Sequence, residues 1–420
     1  MSIHSRAALA LSGLMLAVAP AGAGDVSLDQ AAFSTGAKGK VTFKNVQLSD
    51  ANLSQPEVAS LFSGTLTREA TGALLERLTA KQLKIPEVEI LSENGDRYIL
   101  HDVVADHIEK GGAQSLAFAS LDGVLPDDSG DATLHSGPAR FEALSMPGLA
   151  ASLRGEDLNL PAFRFAHLNW DGGELSLVDK ATAAGAPGGN RIRLNAGPAH
   201  VDQTFDASGV QLAADANFAG LSVKMPPQSK GGAALTAFGY GEVSGDAHYS
   251  GAYDLPAREY KLADYSLDLR KIGKIAFSGA LSGLEKSVFT GDKATREQAI
   301  QAATVDWAQI DVTNAGLFDK IVAFVSLSQG RSPEQVKTEW RSVVSQAPLL
   351  FSGAQAVAAT AKAVDRFIAE PKNLTLRFKG KGEPLKVGEL LHVADPTALI
   401  GRLEVAPAPE PARPANAAKP

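Results

Sequence analysis

A chain of 420 residues with a formal net charge of −7 and no cysteine sets firm limits. It is long enough for a large core in one or two domains, and its acidic balance argues against nonspecific nucleic-acid binding, which needs a basic surface. Without cysteine there are no disulfides and no lipidated cysteine anchor, and the 6% aromatic content disfavours stacked-base and sugar platforms.

Residues 1–23 read as a secretory signal peptide. Arg6 supplies the positive start, Ala7 to Ala19 the apolar run, and Ala21-Gly22-Ala23 the small residues of a cleavage site. Cleavage after Ala23 would leave a chain beginning Gly24-Asp25. The run is too short to span a bilayer comfortably, and no later segment approaches spanning length. A secreted chain of this length without cysteine suits the bacterial periplasm, so the expected location is periplasmic.

Residues 24–313 are expected to be β-rich with a short helical insert. Lys40 to Leu48 alternates as a strand, with Val41 and Phe43 in step, then Val46 and Leu48 in step after a slip near Asn45, where a bulge is expected. Thr67 opens a helix containing Ala70, Leu74, Leu75 and Leu78. Gln82 to Leu91 and Arg97 to His107 form strands joined at Asn94-Gly95, a pair that tolerates the positive angles of a tight hairpin. From Leu116 to Leu284 short alternating runs recur between Gly, Asp, Asn and Pro, including Tyr260 to Leu269 and Lys274 to Leu281. Regular strands with turn chemistry between them predict one extended, curled antiparallel sheet, without the fixed period of a solenoid. Thr182 to Asn190 reads as a small-residue loop.

Residues 314–405 are expected to be a helical cap plus a strand, packed on the same sheet. Asn314 can cap a helix bearing Leu317, Phe318, Ile321, Val322, Phe324 and Val325, and Gly330 ends it. Ser332, Pro333 and Gln335 make a capping box for the next helix, with Val336, Trp340, Val343 and Val344 inward. A third runs from about Ala354 to Ala369, stopped by Glu370-Pro371. Leu374, Leu376 and Phe378 then alternate with Thr375, Arg377 and Lys379 as an exposed strand with a basic outer face. Asp395-Pro396 caps a last short helix ending near Ile400, and 406–420, rich in Ala and Pro, is expected to be a disordered tail.

No catalytic constellation emerges, and no cofactor is implied. His101-Asp102 and Asp106-His107 carry metal-ligand chemistry, but strict alternation along a strand would put the histidines on one face and the aspartates on the other. Asp127-Asp128 beside Pro126 and Gly130 reads as a solvated turn, although carboxylates for glycoside chemistry announce themselves poorly by spacing. Ser326 to Gly330 lacks the first glycine of Gly-x-Ser-x-Gly, His-Glu-x-x-His is absent, and Gly36 to Lys40 is too short for a phosphate loop. Lys379 and Lys381 near Arg377 read as charges that guard a solvated strand edge.

The stretches SLDLRKIGKIAFSGAL (Ser266 to Leu281), VDWAQIDVTNAGLFDKIVAF (Val305 to Phe324) and FIAEPKNLTLRFKGKGEPLKVGELL (Phe367 to Leu391) resemble uncharacterised proteobacterial envelope proteins of AsmA-like style, over about Ser266 to Leu403. The resemblance implies long β-regions and a part in lipid traffic or outer-membrane homeostasis, and brings no catalytic residue. The fold expected is mainly β, a long curled antiparallel sheet with a C-terminal helical cap. The function expected is non-enzymatic: binding a lipid or amphiphile in an apolar groove, with ligand-binding residues unknown. The alternative is a scaffold for envelope proteins acting through strand edges or the tail. A hydrolase built on His101, His107, Asp127 and Asp128 comes third.

Overall fold

A computed structural model describes residues 20–34, 39–127, 130–146, 164–179, 190–350, 355–392, 399 and 401–406. The expected signal core, Asp128, most of 182–190, Asp395-Pro396 and nearly all of the tail lie outside the described residues. The chain is mainly β, with a large antiparallel sheet and helices that include the expected C-terminal cap. It divides into two compact units, one running to Asp246 with Phe289–Lys293, the other holding Ala247–Val288 and the chain from Ala294.

The first unit is a meander of long strands. β1 (Pro20–Ser34) pairs with β2 (Lys40–Leu53), which continues through α1 (Gln55–Phe62) and α2 (Arg68–Arg77) into β3 (Thr79–Leu91) and β4 (Arg97–Glu109). The next strands are each broken near the middle. β5 (Gly112–Phe118) and β6 (Ser120–Leu125) both lie along β4; β7 (Ala132–Ser136) and β8 (Ala139–Ser145) follow them. β9 (His167–Trp170), β10 (Gly173–Val178), β11 (Arg191–Ala196) and β12 (Ala199–Phe205) continue the pattern to an unbroken β13 (Gln211–Lys224), before α3 (Lys230–Ala237).

The inward residues do not alternate strictly. In β2 they are Val41, Phe43, Val46, Leu48, Ala51 and Leu53; in β3 they are Ala80, Leu83, Ile85, Val88 and Ile90; in β4 they are Leu100, Val103, Ala105 and Ile108. The spacing is two, three, two, three. Each step of three passes a slip, and at Asn45, Asp50, Asp102 and His107 the backbone turns to positive φ (55°, 49°, 51° and 49°). The slip expected near Asn45 is therefore present, but the ladders to β1 and β3 run past it in register, so it is a kink rather than an inserted residue. Pro86 explains the place. It has no N–H to give a ladder, and it lies between Asn45 and Asp102 on the neighbouring strands, at the gaps in both ladders.

The breaks at Ala119, Gly137-Pro138, Asp171-Gly172 and Gly197-Pro198 continue this line of irregularity across the sheet. At Gly172, with φ +100°, an added Cβ would fall 2.3 Å from the Ala196 carbonyl oxygen, so the strands approach too closely there for any side chain. The inward residues pack on Val58, Leu61 and Phe62 of α1 and on Leu75 and Leu78 around α2. Phe43 meets Phe62 edge-on at 4.9 Å. Thr67 caps α2 as expected, accepting from Ala70 N at 3.2 Å. At the Asn94-Gly95 hairpin only Gly95 takes a positive φ, 87°, because the connection spans Ser92 to Asp96 instead of two residues.

From Val243 the chain adds β14 (Val243–Asp254), β15 (Glu259–Leu269), β16 (Gly273–Ser282), α4 (Ser287–Thr290), α5 (Lys293–Ala302), β17 (Thr304–Asn314), α6 (Leu317–Gln329), α7 (Pro333–Leu350), α8 (Gln355–Ala369), β18 (Asn373–Gly380), β19 (Leu385–Lys386), α9 (Val387–Leu391) and β20 (Leu403–Ala406). β15 to β18 pair in order, and β20 closes on β18. Three expectations change here. Gly316, not Asn314, is the residue before α6; Asn314 Oδ1 still accepts from Gly316 N at 3.1 Å and Phe318 N at 3.0 Å, capping from two residues upstream. Phe324 and Val343 are outward, 49% and 65% exposed, because the buried stripes are carried by Val322, Ser326 and Val336. β18 is an interior strand between β17 and β20, not a solvated edge. Gly330 ends α6 at φ 64°, and Ser332 and Gln335 form the expected reciprocal box, at 2.8 and 3.2 Å.

Candidate functional site

The second unit holds an apolar groove that follows from the composition of α8. That helix carries Ala356, Val357, Thr360, Ala361 and Val364 at three- and four-residue spacings, so one face is built mostly of small side chains. Opposite stand Val344 and Ala347 of α7, Phe378 of β18 and Leu403 of β20. Alanine at 356, 361 and 347 is too short to fill the space between two helices and a sheet. A cavity of about 370 Å³ remains, and the Thr360 hydroxyl is the one polar side chain among its nine lining residues. It is within the size range of small-molecule sites, about 300–1,000 Å³.

The opposite face of the same sheet is polar and saturated. Thr375 Oγ1 donates to Asp311 Oδ1 at 2.6 Å, Gln309 Nε2 donates to Asp311 Oδ2 at 2.7 Å, and the Arg377 guanidinium lies 4.2 Å from the Trp307 ring centroid. Lys379 pairs with Glu404 at 3.5 Å. The expected basic outer face of β18 is thus engaged with its neighbours.

In the first unit the His101–His107 cluster behaves differently from the strand argument. The kinks at Asp102 and His107 leave all four residues outside the inward set of β4, so alternation does not split histidines from aspartates. They nevertheless disperse. His101 Nε2 lies 3.4 Å from Asp122 Oδ2, while Asp106 accepts from Gln82 Nε2 at 2.7 Å and Ser115 Oγ at 2.9 Å. These bonds, that from Gln82 above all, hold the Asp106 carboxyl below its ordinary range against the opposing effect of burial.

Asp122 also receives His135 Nδ1 at 2.7 Å, beside a cavity of about 490 Å³ that includes Arg97, Ile99, Thr133 and Glu174. A second arrangement of the same kind joins His167 and His200 to the two oxygens of Asp202. His200 Nδ1 also meets Asn169 Oδ1 at 2.7 Å, and the His167 bond holds Asp202 below its ordinary range. Sequence reading singled out His101 but neither cluster, because register alone brings His101 and His135 to Asp122 and His167 to Asp202; only His200 and Asp202, two apart on β12, share a strand. Each carboxylate is held between its imidazoles, and among the described residues no group of three His, Asp or Glu side chains is disposed to hold a metal ion.

Asp127 lies in a turn closed by Gly130 N on its carbonyl at 2.9 Å. Ser326 is 7% exposed with its hydroxyl donated to the Arg331 carbonyl, an ordinary helix stop. Among the described residues no helix is long and apolar enough to cross a membrane.

A family model described only as an uncharacterised protein matches residues 266–407, almost all within the second unit. No curated protein and no solved structure matches the chain.

Proposed function

We propose that this protein is a non-enzymatic carrier or sensor of a lipid or similar amphiphile, acting in the bacterial periplasm in support of the envelope. The observation that carries the reading is the groove between α7, α8, β18 and β20, about 370 Å³ with a single hydroxyl in its lining. Beyond that hydroxyl the lining offers no directional recognition, so an occupant is held mainly by burial of its apolar surface. Burial supplies about 25 cal/mol per Å², whereas association costs at least about 4 kcal/mol in lost freedom. An occupant must therefore bury more than about 160 Å², which suits an alkyl chain better than a small polar metabolite. Behind the groove, Thr375, Gln309 and Asp311 are engaged with one another, which favours binding by the apolar face over chemistry at that sheet.

The test is native mass spectrometry of the full chain from a bacterial periplasm, followed by organic extraction, beside uptake of a long-chain fluorescent fatty acid. The expected result is an extractable lipid and saturable uptake that Ala361→Trp abolishes while circular dichroism is unchanged. A clean protein mass together with no uptake would overturn the reading and leave the scaffold alternative ahead.

A further inference from the structure

Arg164 in the first unit carries two buried donors that no group among the described residues uses. Its backbone is fixed: Arg164 N donates to Ser145 O at 2.7 Å, and Ser145 N donates to Arg164 O at 2.8 Å. The guanidinium lies 5.8 Å from the Phe205 ring centroid at the end of β12. Nη1 rests against Gly209, where an added Cβ would fall 1.6 Å away; φ there is +82°, so the turn leading to β13 is shaped to leave room for this group. The carboxylate of that turn, Asp206, accepts from Ser208 Oγ and from Val210 N at 2.8 Å. Nε and Nη2 of Arg164 are buried and have no hydrogen-bond partner among the described residues.

That pair of atoms is informative. Nε–H and Nη2–H point in parallel from one edge of the guanidinium, the edge that grips two oxygens of a carboxylate or phosphate at once. A guanidinium cannot escape the cost of burial by losing its proton. Buried donors are almost always satisfied, and an uncompensated buried charge is strongly destabilising. We propose that Arg164 anchors an oxyanion-binding site, taking a group with two coplanar oxygens, as a carboxylate or a phosphate presents, on its Nε–Nη2 edge. The Phe205 ring lies within cation–π range of the guanidinium, and Gly209, having no side chain, leaves room for Nη1. The site is independent of the groove in the second unit, and either can fail without the other.

Thermal unfolding of the full chain distinguishes the outcomes, in chloride buffer and with inorganic phosphate or acetate added at matched ionic strength. The wild-type midpoint is expected to rise saturably, by a few degrees, with at least one of the two anions and not with chloride. A rise with phosphate alone assigns a phosphate-bearing ligand; a rise with acetate alone assigns a carboxylate. Arg164→Leu is expected to lose the rise, and to be at least as stable as the wild type in chloride, because it removes two buried donors with no partner among the described residues. Arg164→Lys, which keeps the charge but not the two-donor edge, is expected to weaken the response about tenfold or more. Equal midpoints in all three salts would overturn the proposal. So would an Arg164→Leu protein less stable than wild type in chloride, since the guanidinium would then already have its partner within the chain.

Discussion

Phe318 stands edge-on to Phe367, ring centroids 5.3 Å apart, and edge-on to Trp340 at 5.9 Å. One ring at the start of α6 therefore joins α7 and α8, the two helices that wall the groove. Phe318→Ala should cost about 3 kcal/mol in the second unit, and should loosen the groove with it. Denaturant unfolding followed by tryptophan fluorescence measures the loss. A change under about 0.5 kcal/mol, the range of neutral surface substitutions, would show that the helices hold their places without this contact.

Thr360 separates apolar burial from polar recognition. If the groove takes an alkyl chain, Thr360→Val should leave fatty-acid uptake unchanged or raise it, since the hydroxyl has no partner to satisfy on such a ligand. Thr360→Asp should lower uptake at least about tenfold, because a carboxylate facing a hydrocarbon loses its hydration without compensation. A large loss in the valine variant would point to a hydrogen-bonded polar ligand.

Asn45 tests the kinked strands. Asn45→Gly should be tolerated within about 0.5 kcal/mol, whereas Asn45→Val should cost about 1–2 kcal/mol, because a β-branched residue at φ 55° brings its Cβ against the following carbonyl. Equilibrium unfolding of the two variants gives the difference directly.

These kinks also mark the limit of what could be read in the chain. Strands were legible wherever two apolar residues stood two apart, so Val41, Phe43, Val46 and Leu48 reveal both β2 and its slip. The rule behind the slip, inward residues at two, three, two, three, emerges only when neighbouring strands are aligned and Pro86 is seen between Asn45 and Asp102. β1 shares the pattern in Val26, Leu28, Ala31 and Phe33, but these are interspersed with alanine and polar residues, and half of the strand falls near the expected cleavage site. Helix α1 carries Ser54-x-x-Glu57 with Pro56, as plain a start as the one at Ser332, and Ser54 N does donate to Glu57 Oε2 at 3.1 Å. A reading by alternation alone passes over it. The helical cap was legible because capping chemistry and apolar stripes agree there. The place and lining of the groove were not, since an alanine-rich face looks the same in sequence whether its neighbours close over it or stand apart.

Asp106 gives the acid side of stability. Its carboxyl is held below the ordinary value of 3.8 by the Gln82 amide first and by Ser115, with burial opposing them. A carboxyl depressed on folding stabilises the native state fully above its unfolded value, and that contribution disappears as pH falls through the lower folded value. Nothing should therefore change between pH 5 and 8 from this group. Asp106→Asn should cost about 1–2 kcal/mol near pH 6, the scale of hydrogen bonds to a charged acceptor, because one amide oxygen replaces two carboxylate oxygens that receive Gln82 and Ser115. The gap between wild type and variant should close below about pH 3.8, as the wild-type carboxyl takes up its proton. Urea unfolding at pH 6 and pH 3 measures both ends. A gap that stays constant across that range would mean the two hydrogen bonds act through shape alone and the charge contributes nothing.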